Sequence, residues 1–565
     1  MNTQERRPGT TRWKWEHVAP LTEPKTLALT LITSAVLIHI LLLTMAWPYT
    51  MDDAFIGFRY SRNLAQGWGP TWNPGEVGVE GYTSVLWMFI MAAPHVLKLD
   101  PVLSSKLIGE ICLVLTACLL FVTARRLTLS SQSAKHSAQI VPALAFFAVC
   151  TSPALAIHAV SGMETSLYIL LLTSFLAALV SETSSGTLIA SPLTLGLLAL
   201  LVGLARPEGN AAVALAMFTS YLLRRDGSSR RKLILSAVIY IFCGAMFFAW
   251  RYSYYGHVLP LPFYIKVGRS SYLSGLKHTA SFVAYLSPLT VPLVAGISRY
   301  GRRCWPMAVG LGILLVFFCI PEHIMAPAWR FDAPLLPCAV LLAAVGMTSV
   351  GVLSSSRIRM LAMSILWISL LLPMGMAGLV ELREARHYAR GLNAAHVKLG
   401  KYLATTCGQR ESCRLAIGDA GAVPYFSAWK TLDTFGLNDV HIAITGRHEP
   451  EYVFGQSPDV LVLQSRDTAH FRPILQYEQV LYEFALKRGM IFLGALEFDQ
   501  TYYLWVFARA GGRWAPGIAY APTARGESRA GESIRATGVW LSMRAVRELF
   551  RPRRSADDDR EGVNS

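Results

Sequence analysis

Charged residues are scarce in this sequence: only 16% of its 565 residues are Asp, Glu, Lys or Arg, while 53% are hydrophobic. A soluble protein of this length needs far less apolar sequence, so the composition excludes that class and indicates a polytopic membrane protein. Acidic residues are the rarer sign, 36 against 52 basic residues. No nucleic-acid-binding motif accompanies the basic excess, which therefore indicates cytoplasmic loops of a membrane protein and no nucleic-acid partner.

Cysteine is also scarce, with nine residues in the chain. All of them except Cys407 and Cys413 lie in or beside apolar runs. Two cysteines offer too few ligands for a zinc site. On an oxidising extracytoplasmic face, a disulfide across this short loop is the better interpretation.

Apolar runs of spanning length predict about eleven transmembrane helices. The runs lie near residues 27–47, 103–122, 139–158, 166–181, 187–204, 210–223, 233–250, 276–298, 305–320, 333–352 and 359–379. A further run at 84–97 suits either a short span or a re-entrant segment. Basic clusters follow the second, sixth, eighth and tenth runs, so they share one side, which the positive-inside rule makes cytoplasmic.

The predicted fold is a polytopic α-helical membrane protein with a C-terminal extracytoplasmic α/β domain. A cytoplasmic tail (1–26) precedes the transmembrane part (27–380), whose first outer loop covers 48–84. Residues 381–510 have the composition of a soluble domain, in which RLAIGD, DVLVLQ and YYLWVFAR read as strands separated by helical patterns. Residues 511–565 predict a flexible tail with a basic amphipathic segment suited to a membrane surface.

The first outer loop begins with two adjacent carboxylates, Asp52 and Asp53, directly after the first apolar run. Charges at the edge of hydrocarbon are costly unless they are solvated, paired or used. A helical pattern follows, and places Asp52, Arg59 and Asn63 on one face. N-capping of this helix is an alternative role for either carboxylate.

Four basic residues, Arg206, Arg251, Lys266 and Arg330, are predicted on the outer face. The positive-inside rule disfavours basic residues there, so a specific role must explain each of them. Interfacial anchoring is the simple explanation, and it suits Arg251 best because aromatic residues surround it. A carboxylate and several cations on one face also suit sugar transfer from a lipid phosphate. The carboxylate would take the acceptor's proton, and the cations would stabilise the departing phosphate.

The two carboxylates should have different roles, because neighbouring residues on a helix point about 100° apart. Arg59 is spaced to pair with Asp52, which would keep the pKa of Asp52 low. This spacing favours Asp53 as the general base and Asp52 as the residue that holds the loop. The opposite assignment stays open, since Arg59 is equally placed to serve the donor.

The segment DDAFIGFRYSRNLAQGWGPTWNPGEVGVEGYTS resembles the GT-C superfamily of polytopic glycosyltransferases. Within it, the likeness is to the terminal β-(1→2) arabinofuranosyltransferases of mycobacterial cell walls and their bacterial relatives. GMET, RPEG, YYGHVLPLPFYIK, RF followed by PLLP, and DAGAVPYF…DTFGLND extend the resemblance over about residues 45–445. This chain departs from the pattern at Gly57, where Ser is familiar, and at Leu261, where Asn often follows LP. Both departures bear on the donor sugar.

The resemblance implies a GT-C fold, a polyprenyl-phosphate sugar donor, decaprenyl-phosphate arabinofuranose in the named family, and an acceptor glycan outside the bacterial cytoplasmic membrane. It implies Asp52 or Asp53 as the base, with the active site on the extracytoplasmic side. It further implies that Glu80, Arg206, Glu208 and Lys266 line the site. Arg59, Tyr82 and Arg330 are expected at the donor site from their residue types and positions. No cofactor and no metal ligands are assigned, and a requirement for a divalent metal stays open.

Other functions remain open on the sequence alone. A transporter or lipid flippase would also carry charges within the membrane, but it has no need of paired carboxylates or a large α/β domain. A scaffold for envelope assembly is a second alternative. Among enzymes, a transferase that decorates lipid or protein rivals one that builds the cell wall.

Overall fold

The computed structural model describes residues 23–129, 137–181, 187–268, 272–321, 323, 325–349, 357–407 and 412–511. The predicted N-terminal tail lies outside the described residues up to residue 22. The predicted amphipathic C-terminal tail lies outside them beyond residue 511.

Helices dominate the described chain up to residue 407 because apolar, helix-forming runs are long and turn residues separate them. The helices before residue 393 are α1 (Pro24–Ala46), α2 (Asp52–Ala65), α3 (Val85–Val96), α4 (Pro101–Leu129), α5 (Ser137–Cys150), α6 (Pro153–Val160), α7 (Thr165–Val180), α8 (Pro192–Ala205), α9 (Gly209–Leu223), α10 (Gly227–Tyr255), α11 (Leu261–Gly268), α12 (Tyr272–Leu286), α13 (Thr290–Tyr300), α14 (Trp305–Phe318), α15 (Leu336–Gly346) and α16 (Arg357–Leu392). The helices after it are α17 (Lys398–Thr406), α18 (Ala422–Ser427), α19 (Val440–Thr445), α20 (Pro450–Gly455) and α21 (Gln476–Lys487).

Within the described ranges, five helical stretches are long and apolar enough to cross a membrane, which makes the chain a multi-pass membrane protein. A sixth span is present if α5 and α6, bent by 57° at a short break, cross as one. The bend falls where Pro153 begins α6, because a proline disfavours helical backbone in the residue before it. Shorter apolar helices of 10–17 residues accompany these spans. The count of eleven remains a prediction.

The ambiguous run at 84–97 forms α3, a helix of 12 residues. Its length of about 18 Å is short of a hydrocarbon core of about 30 Å. Ser84 caps it by accepting a hydrogen bond from the Trp87 N–H at 3.3 Å. The helix is therefore too short to cross the bilayer alone.

The C-terminal part contains a five-stranded sheet in the order β2-β1-β3-β5-β4. Its strands are β1 (Arg414–Ile417), β2 (Lys430–Asp433), β3 (Val460–Ser465), β4 (Ile491–Asp499) and β5 (Tyr502–Ala508). Strands β1, β3 and β5 coincide with the three predicted patterns, while β2 and β4 escaped prediction. Strands β2, β1 and β3 are parallel, and β5 pairs antiparallel with both of its neighbours, β3 and β4. Every residue of β3 is buried, which accounts for the apolar run Val460–Leu463 at its start.

The last long apolar helix, α16, leads directly into the C-terminal part. Helix α16 continues through a π-helical turn (Asn393–Val397) into α17, so the predicted boundary at 381 falls inside a helix. The sheet's first connection, α18, packs on α2. There the Phe55 ring lies 5.4 Å from the Tyr425 ring and 5.3 Å from the Phe426 ring. The C-terminal part is thereby joined to the first outer loop.

Candidate active site

Helix α2 presents the two adjacent carboxylates in its first turn. The N-cap position belongs to Met51, whose backbone is extended, and no side chain caps the helix. The expectation that Asp52 or Asp53 serves as a cap is therefore wrong. Both carboxylates lie at the helix N-terminus, where the helix dipole favours negative charge.

Asp52 is enclosed by the C-terminal part of the chain. Its Oδ1 accepts a hydrogen bond from the Ala422 N–H at 2.8 Å, and its own N–H donates to the Tyr388 hydroxyl at 3.1 Å. Burial raises the pKa of Asp52 to about 6. A Cβ on Gly421 would lie only 2.2 Å from Asp52 Oδ2, so the loop there closes directly on the carboxylate.

Arg59 does not pair with Asp52, contrary to its predicted role. Its guanidinium donates to the carbonyls of Trp72 at 2.9 Å, Pro424 at 2.7 Å and Trp429 at 2.8 Å, and to Asn73 Oδ1 at 2.9 Å. Four of the five N–H groups of an arginine are thus used. Arg59 ties α2 to the loop after it and to the C-terminal part, and its surroundings do not support the predicted donor contact.

Glu80 and Tyr82 attach the outer loop to the end of α10. Arg251 donates from Nε to Glu80 Oε1 at 2.9 Å, and its Nη2 bonds the other carboxylate oxygen. The Tyr82 and Tyr255 hydroxyls share a hydrogen bond of 2.8 Å. Arg251 is buried, so interfacial anchoring is the wrong explanation for it. The described contacts of Glu80 and Tyr82 dock the loop on the end of α10 and do not join them to Asp53.

Asp53 differs from Asp52 in its exposure and in its partner. Its side chain is 21% exposed, and its Oδ2 lies 3.1 Å from Arg330 Nη1. The same Nη1 contacts the Met51 sulfur at 3.1 Å and the Met325 carbonyl at 3.3 Å. Among the described residues, Arg330 Nε has no hydrogen-bond partner. This buried N–H therefore has no acceptor among those residues.

The segment that carries Arg330 has strained backbone. Met325, Ala328 and Trp329 have φ values of 54°, 50° and 55°, in the left-handed region that non-glycine residues rarely adopt. The Ala328 N–H donates to Glu381 Oε2 at 2.8 Å, and the Ala328 carbonyl bonds His158 Nε2 at 2.9 Å. Such strain persists only where surrounding contacts over-determine it, and it is typical of functional sites.

Three of the predicted donor-site cations meet at one aromatic ring. The Phe331 centroid is 5.1 Å from Arg206 Cζ, 5.7 Å from Lys266 Nζ and 5.5 Å from Arg330 Cζ. An aromatic face attracts cations at this range. Residues far apart in sequence thus form one positive cluster beside Asp53. The cations were predicted from the sequence, whereas Phe331 was missed, although the RF motif contains it.

The cations of this cluster are not equivalent. Arg206 donates to Glu164 Oε1 at 2.7 Å and also pairs with Glu208. Glu164 was missed by sequence reasoning, although the GMET motif contains it. Lys266 forms no ion pair among the described residues, and burial lowers its pKa. Lys266 is therefore the cation that most lacks an anion.

The C-terminal part contributes an interacting pair, His396 and Asp419, that acts on Asp52. His396, in the π-helical turn, places Nε2 2.7 Å from Asp419 Oδ2, and Gln464 donates to Asp419 Oδ1 at 2.6 Å. Both His396 and Asp419 act electrostatically on Asp52. His396 was not singled out from the sequence, because a lone histidine in a helical pattern carries no signal. Elsewhere in this part, Cys407 and Cys413 form a disulfide with their Cα atoms 6.5 Å apart.

Comparison with solved structures identifies the fold. ArnT from Cupriavidus metallidurans bound to undecaprenyl phosphate superposes with a TM-score of 0.59 at 12% identity, over 86% of this chain and 99% of that one. The apo state of the same protein gives a TM-score of 0.57 at 11% identity, over 85% and 97%. An apo oligosaccharyltransferase from Archaeoglobus fulgidus gives 0.45 at 11% identity, over 77% and 69%. The ArnT likenesses show that the chain shares the fold of ArnT.

Sequence comparisons add one match. Residues 382–514 match a family described as a domain of unknown function (DUF8728). This range contains all five strands. A search of curated proteins finds no match to the chain.

Proposed function

We propose that this protein is an integral-membrane glycosyltransferase that moves a sugar from a polyprenyl-phosphate donor to a cell-envelope glycan. The site is proposed to face the extracytoplasmic side of the bacterial cytoplasmic membrane. One observation carries the proposal: Asp53 lies beside the cations that gather on Phe331. The fold adds support, because ArnT shares it and was solved with undecaprenyl phosphate bound.

Asp53 is the proposed general base. It is partly exposed and lies at the cation cluster, whereas Asp52 is closed in by Gly421 and Ala422. In the proposed step, Asp53 takes the proton of an acceptor hydroxyl as its oxygen bonds the anomeric carbon. The bond between that carbon and the donor phosphate oxygen breaks, and polyprenyl phosphate leaves as an anion. Asp52 holds the start of α2 in place.

Lys266 and Arg330 are the proposed phosphate ligands. Lys266 has no described ion pair, and Arg330 has an unpartnered Nε. A departing phosphate needs such cations, because charge-assisted hydrogen bonds are the strong ones in a site sheltered from water. Arg206 is held by Glu164 and Glu208, so its proposed role is to support the site.

The donor sugar is proposed from the motif resemblance alone, which makes arabinofuranose the first sugar to test. A transferase that decorates lipid or protein would use the same base and phosphate ligands and differ in its acceptor. Gly57 and Leu261, the two departures from the family pattern, are the positions to exchange if another sugar is preferred.

The experiment is a transfer assay with purified protein in liposomes and a panel of radiolabelled polyprenyl-phosphate sugars. We expect release of polyprenyl phosphate that depends on donor, acceptor and Asp53. Movement of intact lipid across the liposome bilayer without bond cleavage would instead favour the flippase alternative. No turnover with any donor, in protein that binds undecaprenyl phosphate, would reject the proposed enzyme.

A further inference from the structure

Three side chains of the types that bind metal ions meet next to the cation cluster. His278 on α12, His323 and Asp332 each offer one ligand atom, and these atoms lie within 4.8 Å of one another. His278 Nε2 is 3.5 Å from Asp332 Oδ2. Two ligands about 2.0–2.1 Å from a tetrahedral ion would be separated by roughly 3.4 Å. This pair is therefore already at the spacing that a bound metal requires.

The polar atoms of this group are buried and lack partners. Asp332 is 0% exposed, and neither of its carboxylate oxygens has a hydrogen-bond partner among the described residues. His278 Nε2 and His323 Nδ1 are also buried atoms without a hydrogen-bond partner among those residues. The Thr279 hydroxyl is close enough to act on the Asp332 carboxyl, but the two groups do not have the geometry of a hydrogen bond. An unpaired buried carboxylate is costly, and a cation between these atoms would satisfy all three side chains.

His323 has the hydrogen bonding of a metal ligand. Its Nε2 lies 2.7 Å from the Phe318 carbonyl, to which only a protonated nitrogen can donate. A neutral ring then carries its lone pair on Nδ1, the atom without a partner. Metal-ligating histidines commonly donate their other N–H to a backbone carbonyl in this way.

We propose that His278, His323 and Asp332 bind a divalent transition metal, with zinc as the expected ion. Two imidazole nitrogens and one carboxylate oxygen suit zinc, and three protein ligands leave a fourth position for water. The ion would join α12 to the segment that carries Phe331 and Arg330. The His323 and Phe331 ring centroids are 4.9 Å apart, so a bound metal would help to hold the Phe331 ring in position among the cations. Its role is positioning, because none of its ligands lies at Asp53.

The test measures bound metal in the full chain, purified in detergent, exposed to zinc and then desalted. We expect about one zinc per chain in the parent protein and in His441→Ala, which removes a half-exposed histidine of the C-terminal part. His323→Ala and Asp332→Asn should each lose most of the bound zinc. Cobalt should give the absorption bands of a four-coordinate site in the parent protein but not in these two variants.

A chelator experiment covers the case in which a variant folds poorly. Removing the metal should lower the thermal midpoint of the parent protein and of His441→Ala. It should also weaken binding of undecaprenyl phosphate several-fold, and zinc should restore both. Parent protein that retains no zinc, or His441→Ala that loses as much as His323→Ala, would overturn the site. The zinc measurement needs no turnover, so its failure is distinguishable from failure of the proposed transferase.

Discussion

The Ala422 N–H donates a hydrogen bond to Asp52 Oδ1 at 2.8 Å, across 370 residues of sequence. This bond places the loop after β1 directly on the first turn of α2. The C-terminal part therefore contributes to the geometry of the candidate site, although Asp53 and the cations all come from the membrane part.

Gly421→Ala should disturb this contact. The new Cβ would lie 2.2 Å from Asp52 Oδ2 and 2.3 Å from the Asp52 carbonyl oxygen, so α2 and the loop must separate. Overpacking of this kind costs about 1–3 kcal/mol. We expect a lower thermal midpoint and reduced transfer. Gly455→Ala is the matched control, because a Cβ there meets nothing within 4 Å. Equal behaviour of the two variants would show that the contact is unimportant.

Asp53→Asn should abolish most sugar transfer, while Asp52→Asn should retain more of it. Asparagine keeps the size of the side chain but cannot take the acceptor's proton, a loss of about 10²–10⁴ in rate. In the Asp52→Asn variant the amide oxygen could still accept the bond from Ala422, so a holding role should survive. Turnover in membranes at matched expression measures both, with Glu483→Gln on the exposed face of α21 as a control. Near-normal turnover of Asp53→Asn would place the base elsewhere.

Lys266→Ala and Arg330→Ala should weaken donor binding without unfolding the protein. Loss of a hydrogen bond to a charged group costs about 1.5–3 kcal/mol, which is roughly tenfold or more in affinity. Arg206→Ala should act differently and lower stability, because it leaves Glu164 and Glu208 buried without their partner. Titration with undecaprenyl phosphate and thermal unfolding separate these effects. Lys277→Ala, an exposed lysine on α12, is the control for lost charge.

Asp52 should make the protein more stable in mild acid than at neutral pH. Burial raises its pKa from 3.8 to about 6. The folded state therefore binds the proton more tightly than the unfolded state. Stability from this group is complete below about pH 4 and is lost as the pH rises through about 6, by at most about 3 kcal/mol. The thermal midpoint of Asp52→Asn should fall less between pH 4 and pH 7 than that of the parent protein. Identical profiles would contradict the raised pKa. Asp433, whose pKa burial also raises to about 6, contributes to both profiles.

The Cys407–Cys413 disulfide should be found intact in protein purified without reductant. Mass spectrometry of unreduced peptides would detect it. A stable disulfide also indicates an oxidising compartment, as expected of the extracytoplasmic face. Two free thiols in freshly purified protein would count against both the bond and the predicted sidedness.

Local sequence determined the secondary structure and the candidate residues. The apolar run of β3, the helical run from Asp52 to Ala65 and the apolar spans depend on neighbours a few residues apart. Such patterns are legible in a single chain. Strand β2 escaped because four residues, three of them polar, carry too little signal.

Tertiary structure alone decided which candidates share a site. It placed Arg206, Lys266 and Arg330 around Phe331, and it turned Arg59 and Glu80 into ties within the fold. The sequence predicted an arginine partner for Asp52 and none for Asp53. In the structure Asp53 has the arginine partner, Arg330, and Asp52 is buried. Charge pairing and burial depend on segments hundreds of residues apart, and helical spacing cannot encode which distant segment supplies the partner.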